Sequence, residues 1–241
     1  MHNKYLIIII VLSITIGIYC SYKIPQTKAE IKTDKEIIYI TEKFFDSIVN
    51  KDLQDLERYA TGEPLWKLKT LNSPELMTAE ITKTEHQIIE KSPLWAKTQS
   101  MIEILGNDYD VGWYEVNLIK ETQKTWKIYS VKETTPFCFN EASLKSVPIE
   151  QLESIFSQYL SDVIDGKDIT KYLAGSVKKG KKSIVLPEKK EIEDIDIVPV
   201  RSNGSLVISQ VSYELNNKPL QMIVYFYNTP EGWKITSIDE F

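Results

Sequence analysis

Apolar residues along this chain are spaced in three ways, and each spacing predicts a different element. Tyr5 to Tyr22 is an uninterrupted run, rich in Ile and without a formal charge. As a helix rising about 1.5 Å per residue it would be ~27 Å long, enough for a bilayer core. It has no polar face, which argues against a core helix. After a polar stretch, Thr33-Asp34-Lys35-Glu36 has the form of a capping box, and Ile37, Ile38, Phe44, Phe45 and Ile48 follow at helical spacing. Asp52 is placed to cap a second helix carrying Leu53, Leu56 and Tyr59, which Gly62 and Pro64 break. From about Glu80 the period becomes two. Leu94, Ala96, Thr98, Ser100, Ile102 and Ile104 share one face of a strand, Gly106-Asn107-Asp108 turns the chain into Val111–Ile119, and a strand from Trp126 closes the unit.

The same plan returns in the second half. Pro148 suits a first helical turn, and Ile149, Leu152, Ile155, Phe156, Tyr159, Leu160, Val163 and Ile164 follow at three- and four-residue spacing. Gly166 is a stop, Asp168 caps a short helix through Tyr172-Leu173, and Gly175 ends it. Strands are predicted at 192–200, 206–214 and 220–227, with Asn203-Gly204 at a tight turn. Trp126-Lys-Ile-Tyr-Ser-Val131 reappears as Trp233-Lys-Ile-Thr-Ser-Ile238, each preceded by a strand-like run and a polar turn. Tyr59-Ala-Thr-Gly62 and Tyr172-Leu-Ala-Gly175 fall at matching points. The spacing of the repeat exceeds the ~20–50 residues of a solenoid unit and fits two copies of a small domain. Helices first and antiparallel strands after read as α+β. The predicted organisation is a membrane anchor at 1–22, a linker at 23–33, a first α+β domain at 34–134, a joint at 135–147 and a second α+β domain at 148–241. The joint is short and partly apolar, so the domains are expected to sit close.

The 241 residues carry a net charge of −5, which excludes a nucleic-acid binder held by a global positive field. Two cysteines, Cys20 and Cys138, do not make a disulfide framework or a thiolate metal site, and two histidines leave little room for Ser-His or metal chemistry. No catalytic, cofactor-binding or metal-binding residues are assigned. Nothing near Tyr19–Lys28 resembles a small-residue cleavage site, so an uncleaved anchor is expected; lipidation of Cys20 and ordinary signal cleavage stay open. Lysines flank both sides of the run, and orientation is taken from the short N-terminal tail, by analogy with signal anchors. The expectation is a single-pass protein of the cell membrane with its bulk outside the cytoplasm.

Several residues could carry chemistry. Asp108, Tyr109, Asp110 and Tyr114 lie near a turn and read chiefly as solvated turn residues. His86 reads as a surface residue on an exposed strand. Trp126 and Trp233 read as core residues sealing sheet against helices. Lys178, Lys179, Lys181 and Lys182 form the sharpest charge cluster, a candidate contact for anionic lipid or a partner, although nearby acidic residues fit a solvated loop as well. No aromatic residue is interleaved with them, which weakens nucleic-acid binding.

The stretch from Pro148 to Gly175, with its long helix and short Asp-to-Tyr-Leu helix, and the closing Gly232-Trp-Lys-Ile-Thr-Ser-Ile238 strand resemble the TcpC-like conjugative-transposon transfer proteins of Gram-positive bacteria. The first half is similar in plan. The resemblance implies a transmembrane helix followed by two tandem cone-shaped domains of the nuclear-transport-factor-two type, each with helices packed on a curved antiparallel sheet. It further implies a non-enzymatic scaffold subunit of a type IV secretion channel. Such a subunit would be homo-oligomeric, would contact other channel subunits and would use no cofactor. The alternative is an extracytoplasmic binding or sensory module of the same fold.

Overall fold

A computed structural model of the chain describes residues 28–70, 79–106, 108–121, 125–180 and 192–240. The expected anchor, residues 23–27 of the linker, Asn107 and the lysines at 181 and 182 lie outside the described residues. Among the described residues no helix is long and apolar enough to cross a membrane. Residues 1–36 and 37–241 separate as two units; the described part of the first, 28–36, is helical throughout.

The architecture is α+β, with two four-stranded antiparallel sheets in the orders β1-β2-β3-β4 and β5-β6-β7-β8. In the first half, α1 (Lys28–Val49), α2 (Leu53–Tyr59) and α3 (Glu63–Thr70) precede β1 (Glu80–Lys91), β2 (Trp95–Leu105), β3 (Tyr109–Lys120) and β4 (Trp126–Glu133). In the second, α4 (Ile149–Ile164), a 3₁₀ turn (Thr170–Tyr172) and α5 (Ser176–Gly180) precede β5 (Ile192–Ser202), β6 (Leu206–Leu215), β7 (Lys218–Thr229) and β8 (Gly232–Glu240).

The first helix starts earlier than its capping box indicates. Lys28 to Lys32 are helical, so the expected linker at 23–33 is too long at its C-terminal end. Thr33 lies inside the helix, where its hydroxyl donates to the Ala29 carbonyl at 3.1 Å. Lys-Ala-Glu-Ile-Lys is a strong helix-forming run and overrides the local cap. Asp52 caps α2 as expected, accepting from the Gln54 and Asp55 amides at 3.0 Å each.

The two halves repeat one set of irregularities. Lys51 (φ 57°) ends α1 and Gly166 (φ 67°) follows α4, both left-handed. Gly62 (φ 65°) and Gly175 (φ 69°) close the two Tyr-to-Gly motifs. Just before them, Ala60 forms a parallel bridge to Ile128 and Leu173 forms one to Ile235. The Lys127 and Lys234 ammonium groups donate to the Glu57 and Lys171 carbonyls, at 3.2 and 2.6 Å, at the ends of the preceding helical turns. The strand register skips Tyr129 in β4 and Thr236 in β8, and it skips Ile89 in β1 and Val200 in β5. Bulges at matching positions bend both sheets alike, which lets each wrap its helices. The β6–β7 hairpin turns on Asn216 and Asn217, both at positive φ (52° and 58°), a conformation open to Asn at little cost.

Three apolar clusters hold residues 37–241 together. Ile37, Ile40, Phe44 and Phe45 of α1 pack with Ile102, Val116, Leu118 and Ile128 of the first sheet. Leu152, Phe156 and Tyr159 of α4 pack with Val211, Val224, Phe226 and Ile235 of the second. A third cluster joins the halves: Met101, Val111 and Trp113 meet Ala174, Leu206 and Tyr227, with Phe137, Cys138 and Phe139 of the joint against them. Strand β2 is therefore buried on both faces. Ala96, Thr98, Ser100 and Ile102 face α1, and Met101 and Glu103 lie on the opposite face.

Polar contacts tie the same junction. Trp113 and Tyr227 meet edge to face at 5.4 Å, and the Tyr227 hydroxyl donates to the Glu103 carboxylate. Lys178 and Asp108 are 3.6 Å apart, and the Ala142 amide donates to the Ser202 carbonyl at 2.6 Å. A Cβ on Gly175 would stand 2.6 Å from the Val111 carbonyl oxygen.

Candidate functional site

The first half contains a pocket of about 260 Å³ between α1, α3 and the sheet. Its wall is Phe44, Phe45, Ile48, Ile102, Ile104 and Val131, with Tyr114 on the sheet side and Glu63 and Lys67 on α3. The helical spacing of Phe44, Phe45 and Ile48 turns them inward together, and α3 sits where Gly62 redirects the chain. Lys67 and Glu63 pair at 2.6 Å one turn apart on exposed side chains, so their charges largely satisfy each other. Burial pushes the Tyr114 phenol up to about 12, with Glu133 and Asp110 adding to the effect. At neutral pH it is a protonated hydroxyl inside an apolar wall, and the chemistry offered is apolar burial plus one polar contact.

His86 is not the surface residue its strand indicates. It is half-buried, its ring stacks on Phe45 at 6.2 Å, and its Nδ1 lies 2.9 Å from the Ser100 hydroxyl. Its Nε2 is buried without a hydrogen-bond partner. Burial lowers its pKa to about 4, against a weaker opposing effect of Asp46. The imidazole is thus neutral at neutral pH and packs beneath α1 as an aromatic plate.

The four residues near the first turn separate. Asp108 is exposed and pairs with Lys178. Asp110 accepts from the Val111 amide at 3.0 Å. Tyr109 is half-buried beside the inter-half cluster, where burial and then the Glu103 carboxylate raise its pKa far above the usual phenol. Of the four, Tyr114 alone lines the pocket. The reading as solvated turn residues fails for the two tyrosines, because Tyr109 packs beside the inter-half cluster and Tyr114 packs on the first-half core, 5.3 Å from Phe45. Among the described residues no group of three or more His, Cys, Asp or Glu side chains is placed to hold a metal ion. Of the lysine cluster, Lys178 and Lys179 lie on α5, and Lys178 reaches across to Asp108.

The two repeated tryptophans differ. Trp126 is 1% exposed, with the Lys120 ammonium 5.4 Å from its ring centre. Trp233 is only partly buried and lines an open groove of about 620 Å³. Expected equivalence of the two as sealed core residues is therefore corrected for Trp233. Close by, Asp162 is held by Lys171 at 2.9 Å, Tyr172 Oη at 2.8 Å and Lys167 at 3.4 Å. Hydrogen bonds from Lys171 and then Tyr172 lower its pKa to about 2. No motif in the sequence announced this clamp, whose parts are separated by a turn.

No protein-family model and no curated protein matches the chain. Among solved structures, an "Ntf2 like protein involved in plasmid conjugation" aligns over 78% of this chain and 86% of its own, with a TM-score of 0.30 and 10% identity. A cystatin-like protein from Ruminococcus gnavus ATCC 29149 aligns over 89% of this chain and 95% of its own, with a TM-score of 0.28 and 10% identity.

Proposed function

We propose that the protein is a non-enzymatic scaffold of a conjugation channel, anchored by its N-terminal run and acting through oligomerisation and protein contacts. In this reading its two halves are tandem cone-shaped domains. The observation that carries the reading is the third apolar cluster, which joins the two sheets into one body. Such a body presents a fixed surface to partners, and a membrane tether raises local concentration so that weak contacts between copies sum. The sequence resemblance supplies the process. The test is complementation of a strain lacking the protein, with DNA transfer as the readout. The full chain should restore transfer, and a chain lacking residues 1–22 should not. Unimpaired transfer in the strain lacking the protein refutes the reading.

The 260 Å³ apolar pocket favours a second reading, an extracytoplasmic binding module for a small apolar molecule. Displacement of a fluorescent naphthalene dye by medium-chain fatty acids, abolished by Ile102→Trp, would support it. A dye that neither binds nor responds to filling of the pocket would count against it.

A further inference from the structure

The repeat allows the two halves to be compared residue by residue, and one difference opens a site. Aligning the sequence on the left-handed residues that end the long helices, Lys51 and Gly166, pairs Leu152 with Ile37, Phe156 with Thr41 and Tyr159 with Phe44, all buried. By the same alignment Ser154 stands where the first half has Tyr39. Tyr39 packs edge to face on Tyr59 at 6.5 Å. Ser154 carries no ring to cover Tyr172 in this way, and both residues line one open space. That space is the groove of about 620 Å³ between α4, the 3₁₀ turn and the β7–β8 hairpin.

The lining identifies the kind of guest. Trp233 and Tyr172 supply aromatic surface, and Gln151, Ser154, Glu150 and Glu231 supply hydrogen-bonding groups. Glu231 is paired with Lys234 at 3.3 Å, and the Glu150 carboxylate disfavours an anion. The Lys171 ammonium already stands 4.8 Å from the Tyr172 ring centre and is neutralised by Asp162 at 2.9 Å, so the aromatic face there holds its cation. An apolar guest would leave the polar rim dehydrated. β8 is an edge strand of its sheet, but Leu173 bridges it at Ile235 and the Ala174 amide donates to the Ile235 carbonyl at 3.0 Å, so a peptide strand finds no continuous edge beside the groove. What remains is a neutral ligand with C–H faces for the aromatic rings and hydroxyls for carboxylate and amide.

We propose that this groove is a saccharide-binding site, with Trp233 as the stacking platform and Glu150, Gln151 and Ser154 as hydroxyl partners. Its volume lies within the ~300–1,000 Å³ usual for small-ligand sites. The site stands on the second half alone and does not rest on the scaffold reading.

The experiment titrates the purified full chain with chitohexaose, cellohexaose and maltohexaose, followed by tryptophan fluorescence and calorimetry. At least one should bind and perturb the fluorescence. Ser154→Tyr, which refills the space as the first half does, should weaken binding about tenfold or more, as expected for loss of one stacked contact. Its unfolding midpoint should be unchanged, because Ser154 is exposed. Trp233→Ala should weaken binding equally, and Trp233→Phe should retain part of it, which separates stacking from folding. Binding of none of the three at millimolar concentration overturns the proposal. So does wild-type affinity in Ser154→Tyr, or binding of oligolysine in place of the sugars.

Discussion

Single residues show how far burial changes chemistry that sequence position leaves open. His86 stands in a run of alternating polar residues, yet α1 covers it and its pKa falls to about 4. The unfolded chain would protonate it near 6.5. Between those values the unfolded state binds more protons, so stability declines as pH drops from ~6.5 to ~4 and then levels for this group. The full effect is at most about 3 kcal/mol. Urea unfolding across that range should show the decline, and His86→Gln should flatten it; an equal decline in the variant would assign it elsewhere. The two tryptophans make a second test. Trp126→Ala should cost ~3–5 kcal/mol as a fully buried aromatic truncation. Trp233→Ala, partly in water already, should cost about 1–2 kcal/mol. Equal losses would contradict the difference in burial.

Between elements, the repeated Tyr-to-Gly motif does two different jobs. Gly62 and Gly175 adopt the same left-handed conformation, but only Gly175 lies against other backbone, the Val111 carbonyl. A Cβ at Gly62 meets nothing within 4 Å. Gly62→Ala should therefore cost only the conformational penalty, ~1–2 kcal/mol. Gly175→Ala adds a clash that the β3 strand cannot relieve without moving, and should lose clearly more. Chemical unfolding of the two variants decides the point, and equal losses would mean that the halves are not packed as described. The matching bulges at Tyr129 and Thr236 belong to this scale as well, since each bends the closing strand toward the bridge at Ala60 or Leu173.

At the scale of the molecule, Met101, Val111, Trp113, Leu206 and Tyr227 make the two sheets depend on each other. Residues 37–241 should then unfold in one transition, coincident by tryptophan fluorescence and far-ultraviolet circular dichroism. Trp113→Ala empties the shared cluster and should lower the midpoint or split the transition into two. A wild-type chain that already unfolds in two well-separated steps would refute the coupling. Hydrophobic spacing and the Trp-Lys-Ile hairpins set out the repeat, the α+β class and most of the element order, because those depend on neighbours within one helix turn or one strand pair; α3 (Glu63–Thr70) escaped because Gly62 and Pro64 read as breakers. The same pattern put His86 on the surface, Tyr109 in a solvated turn and Trp233 in the sealed core, and gave Glu103 no role; the structure differs on all four. A period of two tells which face of β2 is apolar, but Met101 and Glu103 lie on the other face, buried because the second half is packed there. The opening beside Trp233 likewise depends on whether a Tyr or a Ser sits one helix away. Tertiary structure decided these points because each is settled by contacts between residues far apart in the chain, which local spacing does not encode.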